Sequence, residues 1–364
     1  MKRSRPLPWL ILPLLLSRAL FAEPPLMKEH SMEPKIQALS PDGRFAISLG
    51  GFLQARYTGA LAEEEPHTSH FGAPRTRLYS YGYVHSPDFR YRLMIGTPPY
   101  SQQVQFFDAY MEVRIADELR LRGGRFKIPV FREWVESARL LSSIERSPVT
   151  LHLLPGRDYG MMASGAFRHE TVEYSLGVFN GAGDAATVDS NMIPAVAGRI
   201  VWNTTGHAIE GEVDFEHSPP SLALGASGYS TMKPRDSSPS PTGEILHLRE
   251  HLGGVEAIFR WDGLDIAAEF MLRRRQEREL SEDVGGGYLR ITQYLPRAQT
   301  SIGARGSHLT GNRGSSPVRS ELEAEVGYYL EEHDLKCAVD VGAALLGRQR
   351  RQERFFQAQV QVSF

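Results

Sequence analysis

Segments of about ten residues in which apolar and polar side chains alternate recur from residue 44 to residue 364, the periodicity of a strand with two unlike faces. Phe89, Tyr91, Leu93 and Ile95 alternate with Arg90, Arg92, Met94 and Gly96. Phe107, Ala109, Met111, Val113 and Ile115 alternate with Asp108, Tyr110, Glu112 and Arg114. Leu264, Ile266, Ala268, Phe270 and Leu272 alternate with Asp265, Ala267, Glu269, Met271 and Arg273. A period of two gives each strand one apolar face and one charged face. A soluble sandwich or propeller keeps the polar face outside and needs a tight apolar core. A transmembrane barrel turns the apolar face to lipid and the polar face to a wet lumen. Two further features favour the membrane.

The first lies at the start of the chain. Lys2, Arg3 and Arg5 precede the apolar run Trp9–Leu16, and the small residues Ala19 and Ala22 follow. That is the order of a secretory signal peptide, with cleavage expected near Ala22. Eight apolar residues containing Pro13 cannot cross a hydrocarbon layer of about 30 Å, so an anchor is not expected. Removing residues 1–22 takes away Lys2, Arg3, Arg5 and Arg18 and no acid, so the formal charge moves from −2 to −6. Nothing in that balance suggests a nucleic-acid partner. The single cysteine, Cys337, excludes an intrachain disulfide framework. It alternates with Val339 and Val341 and is read as a small apolar residue on the lipid face. Residues 23–43, polar and proline-bearing, read as a periplasmic tail ahead of a barrel domain spanning 44–364.

The second feature is the last segment, Arg354–Phe364, whose sequence is RFFQAQVQVSF. Phe356, Ala358, Val360, Val362 and Phe364 share one face, and Phe355, Gln357, Gln359, Gln361 and Ser363 share the other. A terminal aromatic on such a strand resembles the ending of bacterial outer-membrane barrels.

Seventeen segments qualify as strands on pattern alone, but single-chain bacterial barrels have an even number, with short inner turns and longer outer loops. Taking Thr204–Pro219 as an extended periplasmic turn restores the alternation. Sixteen strands remain, expected to start near Arg44, Pro74, Phe89, Val104, Glu118, Asp158, Thr171, Ala195, Pro220, Leu252, Gly263, Gly286, Ala298, Ser320, Leu335 and Arg354. The longer outer loops include Leu61–Ala73, Gly181–Pro194, Thr231–His251, Gln276–Gly285 and Thr310–Arg319.

The segment between the fifth and sixth strands stands apart. It is about thirty residues long, which in a compact domain indicates a functional or disordered loop. It also carries Val130, Phe131, Trp134, Leu140, Leu141, Ile144, Leu151, Leu153 and Leu154, so it must pack against something. The barrel's inner wall is the available surface. Trp134, Val135, Ala138 and Leu141 have the spacing of a short amphipathic helix. This third outer loop is therefore expected to fold into the lumen, with Trp134, Leu141 and Ile144 anchoring it.

Several stretches resemble the phosphate-selective porin O/P family. They are RFAISLGGFLQARY (Arg44–Tyr57), APRTRLYSYGYV (Ala73–Val84), FFDAYMEVRI (Phe106–Ile115) and LRLRGGRFKIPVFRE (Leu119–Glu133). SSIERSPV (Ser142–Val149), PGRDYGMMASG (Pro155–Gly165), YSLGVFNGAG (Tyr174–Gly183), GYYLEEHDLK (Gly327–Lys336) and the closing QAQVQVSF continue the match in order. The resemblance implies a sixteen-stranded outer-membrane porin, usually a homotrimer, with the third loop in the pore. This chain is short for that family. Its loop balances Arg132, Arg139, Arg146 and Arg157 with Glu133, Glu136, Glu145 and Asp158.

Alternation also assigns the lumen face. The first five strands turn inward Arg56, Arg75, Arg77, Arg90, Arg92, Arg114, Arg120 and Arg122, against Asp108 and Glu112. The eleventh to fifteenth turn inward Asp265, Glu269, Glu321, Glu323, Glu325 and Asp340, with Arg273, Arg290 and Lys336 scattered among them. Rows of charge in a narrow low-dielectric channel raise the local concentration of counter-ions. A basic wall facing an acidic one, with Arg132, Trp134, Arg139, Arg146, Arg157 and Asp158 at the constriction, fits a diffusion channel for small hydrophilic and anionic solutes. Two alternatives stand beside this: that these charges are merely polar lumen residues, and, separately, that the barrel has an adhesive, structural or enzymatic role. No G-x-S-x-G elbow or H-E-x-x-H helix supports catalysis. His67 and His70 lack carboxylate or thiolate companions, and no metal or cofactor is expected. The partners expected are outer-membrane lipid and the permeating solutes.

Overall fold

The computed structural model describes residues 36–364 apart from 64–65, 99–102, 169, 182–192, 206–208, 235–246, 278–279 and 313–317. The expected signal peptide, most of the tail and parts of all five of the longer outer loops named above lie outside the described residues. The strands are β1 (Ile36–Leu39), β2 (Phe45–Ala62), β3 (Thr68–Val84), β4 (Ser86–Thr97), β5 (Gln105–Ala116) and β6 (Leu119–Lys127). Then come β7 (Arg157–Phe167), β8 (Val172–Phe179), β9 (Ala195–Asn203), β10 (Ser221–Pro234), β11 (His247–Trp261) and β12 (Leu264–Glu277). The series ends with β13 (Leu280–Leu295), β14 (Thr300–Gly311), β15 (Arg319–Glu331), β16 (Leu335–Leu346) and β17 (Arg351–Ser363). Each of β2–β17 pairs antiparallel with its neighbour in sequence. The ring closes where β17 pairs β2, from Ser363 opposite Phe52 to Glu353 opposite Ala62. This is a closed antiparallel barrel of sixteen strands. Closure leaves no sheet edge, which a backbone surrounded by hydrocarbon requires.

Burial runs opposite to that of a soluble sheet. Along β15, Glu321, Glu323 and Glu325 are buried while Leu322, Val326 and Tyr328 are exposed. Along β17, Gln359, Gln361 and Ser363 are buried while Phe356, Val360, Val362 and Phe364 are exposed. Cys337 is likewise exposed on the outer face. Charge inside and apolar side chains outside is the arrangement expected from the sequence pattern.

The inner turns are tight. The β11–β12 hairpin places Asp262 and Gly263 at positive φ (47° and 84°), the backbone that an Asp-Gly two-residue turn adopts with least strain. The outer connections differ from expectation in one respect. Leu61–Ala73 and Gln276–Gly285, read as loops, are largely strand, because β3 begins at Thr68 and the β12–β13 hairpin runs to Glu277 and Leu280. Where a hairpin rises clear of the apolar band both faces are wet, so its sequence has no reason to alternate. A second difference lies in residues 23–43. Ile36–Leu39 there form β1, which pairs with Ala46–Leu49 of β2.

Candidate functional site

Residues 128–156, between β6 and β7, touch side chains from strands all around the ring and therefore lie inside it. Ile128, Val130, Phe131, Val149 and Leu153 are buried against inward-facing Phe179, Tyr229, Leu252, Met271 and Leu309. Phe131 enters at φ 55° with its N–H donating to Ser227 Oγ at 3.0 Å. Its ring occupies the space above Gly254, where a Cβ would come within 2.7 Å of it. Trp134, Leu141 and Ile144 are buried, whereas Leu151 is exposed.

The expected helix is shorter than its spacing suggested. One turn, α1 (Arg132–Val135), is followed by an extended Glu136, and a second short helix, α2 (Pro148–Leu153), is capped by Ser147. Side chains take the carbonyls that a longer α1 would use. Arg146 donates to the Glu133 and Glu136 oxygens at 2.8 and 2.7 Å. Lys127 donates to those of Val135 and Glu136 at 3.1 and 2.9 Å. Ala138 and Leu141 thus lie beyond the helix.

The acidic wall is the loop's polar seat. Glu269 accepts the Glu133 N–H at 2.7 Å, and Asp340 accepts the Ile144 N–H at 2.6 Å. Glu325 accepts Ser143 Oγ. Glu323 pairs with Arg305 at 2.5 Å, and Arg305 also donates to the Glu145 carbonyl at 2.8 Å. Glu321 pairs with Arg319 at 2.5 Å. On the same side Lys336 donates to the Leu141 carbonyl at 2.6 Å, and Arg139 pairs with Asp334 of the β15–β16 turn at 2.5 Å.

The β9–β10 connection meets the loop from the opposite end. The described residues of Thr204–Pro219 form no barrel strand, but they do not simply extend into the periplasm. Val213 is buried with Tyr294 and Tyr329, and the Phe215 ring lies edge-on to both at 4.9 and 5.0 Å between centroids. The Glu212 carboxylate, 1% exposed, accepts the Ser142 N–H at 2.8 Å and lies 3.6 Å from Arg290. The Gly211 N–H donates to Glu136 at 2.9 Å, and its carbonyl accepts from Arg132. Arg290 bonds Asp265 at 2.7 Å and Arg260 bonds it at 2.6 Å, which accounts for that carboxylate. Glu212 was missed by sequence reasoning because its segment, which alternates well enough to count among the seventeen strand candidates, was read as an extended turn and given no facing.

A cavity of about 230 Å³ remains on the other side of the lumen. Arg75, Arg77, Arg92, Arg122, Arg132, Arg146 and Arg157 line it together with Trp134. Several of these charges are compensated. Arg75 and Arg56 pair with Glu145, Arg92 and Arg157 with Asp108, and Arg122 with Glu112. Arg77 and Arg146 form no ion pair among the described residues. Arg77 donates to the Thr76 and Thr97 carbonyls, and its guanidinium lies 3.7 Å over the Phe107 ring. That ring points inward because β5 bulges: Met94 faces Asp108 and Ile95 faces Phe106, so Phe107 has no partner. Alternation had placed Phe107 on the lipid face. Lys127, Arg146 and Arg157 surround the Trp134 ring at 5.3–5.6 Å.

The remaining expected site residues are dispersed. Arg120 is buried below Arg122, outside the cavity lining. Arg90 donates to the Pro87 carbonyl and Arg114 pairs with Asp88 and Asp117, both at the inner rim. Asp158 lies in β7, where its carboxylate accepts the Tyr159 and Gly181 N–H groups at 2.8 and 2.7 Å. Arg273 donates to the His152 carbonyl at 2.8 Å. Arg199 and Lys127, not singled out in the sequence, join the cavity lining. Alternation with Ala197 and Val201 would have found the first.

Charge on the loop follows from these neighbours. Burial alone would raise the Glu145 carboxyl, but Arg75, Arg56 and Arg146 outweigh it and hold it down at about 2. Burial and the nearby Arg75 bring Arg146 down to about 10, so it is still cationic at neutral pH.

No family model matches the sequence, and comparison with curated proteins finds no match. Solved structures do resemble the fold. The outer-membrane channel DcaP of Acinetobacter baumannii aligns with TM-score 0.63 at 10% identity, over 90% of this chain and 99% of that one. An in-vitro folded trimer form of OmpT, an outer membrane protein of Vibrio cholerae, aligns with TM-score 0.61 at 9% identity, over 88% and 99%. An anion-selective porin from Comamonas acidovorans aligns with TM-score 0.58 at 9% identity, over 88% and 100%. At these identities the likeness is one of fold: a sixteen-stranded barrel of the kind found in bacterial outer-membrane porins and channels.

Proposed function

We propose that the chain is a bacterial outer-membrane porin, a passive diffusion channel for small hydrophilic solutes with a preference for anions. One observation carries the anion preference. The carboxylates of the acidic wall bond the loop or strand arginines, whereas eight guanidinium groups converge on the remaining cavity, two of them in no ion pair among the described residues. A site of fixed positive charge bordered by protein rather than bulk water concentrates anions. Guanidinium also offers a fork of donors suited to carboxylate and phosphate. Export by a cleaved signal peptide and assembly as a homotrimer belong to the same reading, supported by the start of the sequence and by the trimeric neighbour. Within that class, the quoted motifs support a place in the phosphate-selective porin O/P family.

Reversal potentials of the refolded protein in a planar bilayer under a potassium chloride gradient test this reading. The wild type should show anion preference. Replacing Arg77 and Arg146 by Gln should move the reversal potential toward cation preference, more so at low salt, because screening shortens the reach of charge to about 10 Å at 0.1 M. A protein that inserts without conducting, or conducts with cation preference, would overturn it.

A further inference from the structure

The cavity that carries the anion reading is not polar all round. Inward-facing Val201 of β9, Ala223 of β10 and Ile258 of β11 line it, and Ile209 of the inner turn completes the patch. In a ring of sixteen strands β11 lies diametrically across from β3, which supplies Arg75 and Arg77. The same space is therefore bounded on one side by guanidinium groups and on the other by aliphatic side chains. A lumen that passes only hydrated inorganic ions gains nothing from an aliphatic wall. Apolar surface with a few convergent charged groups is the composition of a site for organic molecules.

We propose, resting on the channel reading above, that the preferred solutes are organic anions with an apolar body, monocarboxylates of several carbons or aromatic carboxylates, rather than inorganic phosphate. The carboxylate lies between Arg77 and Arg146, and the hydrocarbon body rests on Val201, Ala223, Ile258 and Ile209. A cavity of about 230 Å³ accommodates such a molecule with few accompanying waters, each of which takes about 30 Å³ of liquid.

The test measures the concentration at which acetate, butyrate, hexanoate, benzoate and inorganic phosphate each halve the chloride current through the refolded full chain in a planar bilayer. Burial of a methylene predicts that the midpoint falls by roughly two- to fourfold for each carbon added. Benzoate should act at roughly tenfold lower concentration than phosphate. The V201T/I258T variant, checked for heat-modifiable gel mobility, should raise the hexanoate and benzoate midpoints by roughly three- to tenfold and leave phosphate within about twofold. R77Q should raise the midpoints of all five. A chain-length series that is flat, phosphate acting at equal or lower concentration than benzoate, or a V201T/I258T variant that behaves as wild type would each overturn this assignment while the anion-selective channel stands. Absence of chloride current would overturn the channel itself.

Discussion

Glu145 is the residue on which the loop's attachment to the basic wall turns. It bonds Arg75 and Arg56 of neighbouring strands, and these guanidiniums with Arg146 depress its carboxyl to about 2. A depressed carboxyl stabilises the docked loop fully above its ordinary value near 4.5, and that contribution is lost as pH falls from there through about 2. Single-channel conductance should then be steady from neutral pH to about 5 and rise below 4.5 as the loop loosens. E145Q should remove that pH dependence and weaken docking by about 2 kcal/mol, the usual worth of a hydrogen bond to a charged group. Conductance recorded against pH for both proteins decides it. Legibility at this scale was uneven. Alternation gave the inward facing of Arg75, Arg77 and Arg122, but pairing is a three-dimensional fact that spacing does not encode. Nothing in the sequence distinguished Arg122, neutralised by Glu112, from Arg77, held over an aromatic ring by a bulge.

At the scale of elements, period-two patterning located all sixteen barrel strands, most starts lying within a few residues of expectation. The largest departures, at β3, β11 and β13, fall on outer segments where both faces are wet. The two insertions were less legible. The loop's excess of apolar residues forced it inward, yet the helix read from Trp134 to Leu141 stops at Val135, because Lys127 and Arg146 capture its carbonyls. The inner turn gave a misleading signal: Ile209, Val213 and Phe215 alternate with acids like a seventeenth strand, and only aromatic partners far away in sequence show where Val213 and Phe215 are seated. Phe215→Ala should remove that seat at a cost of about 1–3 kcal/mol, below the cost for a fully buried ring. Current recordings should then show brief extra openings, since Glu212 no longer holds Ser142 in place. A trace as quiet as that of the wild type would show the turn to be held without Phe215.

The whole molecule depends on joining its two ends. Phe364 and Gly51 exchange both backbone hydrogen bonds, at 2.8 and 3.0 Å, so deleting Phe364 removes the last rung of the closing ladder. The truncated chain should assemble in the outer membrane at a fraction of the wild-type level while still crossing the inner membrane, measured as heat-modifiable protein in each fraction. A closed barrel that resists detergent until heated makes that readout specific. Below Gly51 the longer β2 runs past the end of β17 with β3 on one side only, and β1 pairs with its other side there, Ile36 opposite Leu49 through Leu39 opposite Ala46. A bare stretch of strand at that rim would be a template for a neighbouring molecule's backbone. By covering it, four residues ahead of the barrel leave a second chain no open backbone at that place to extend into a continuous sheet.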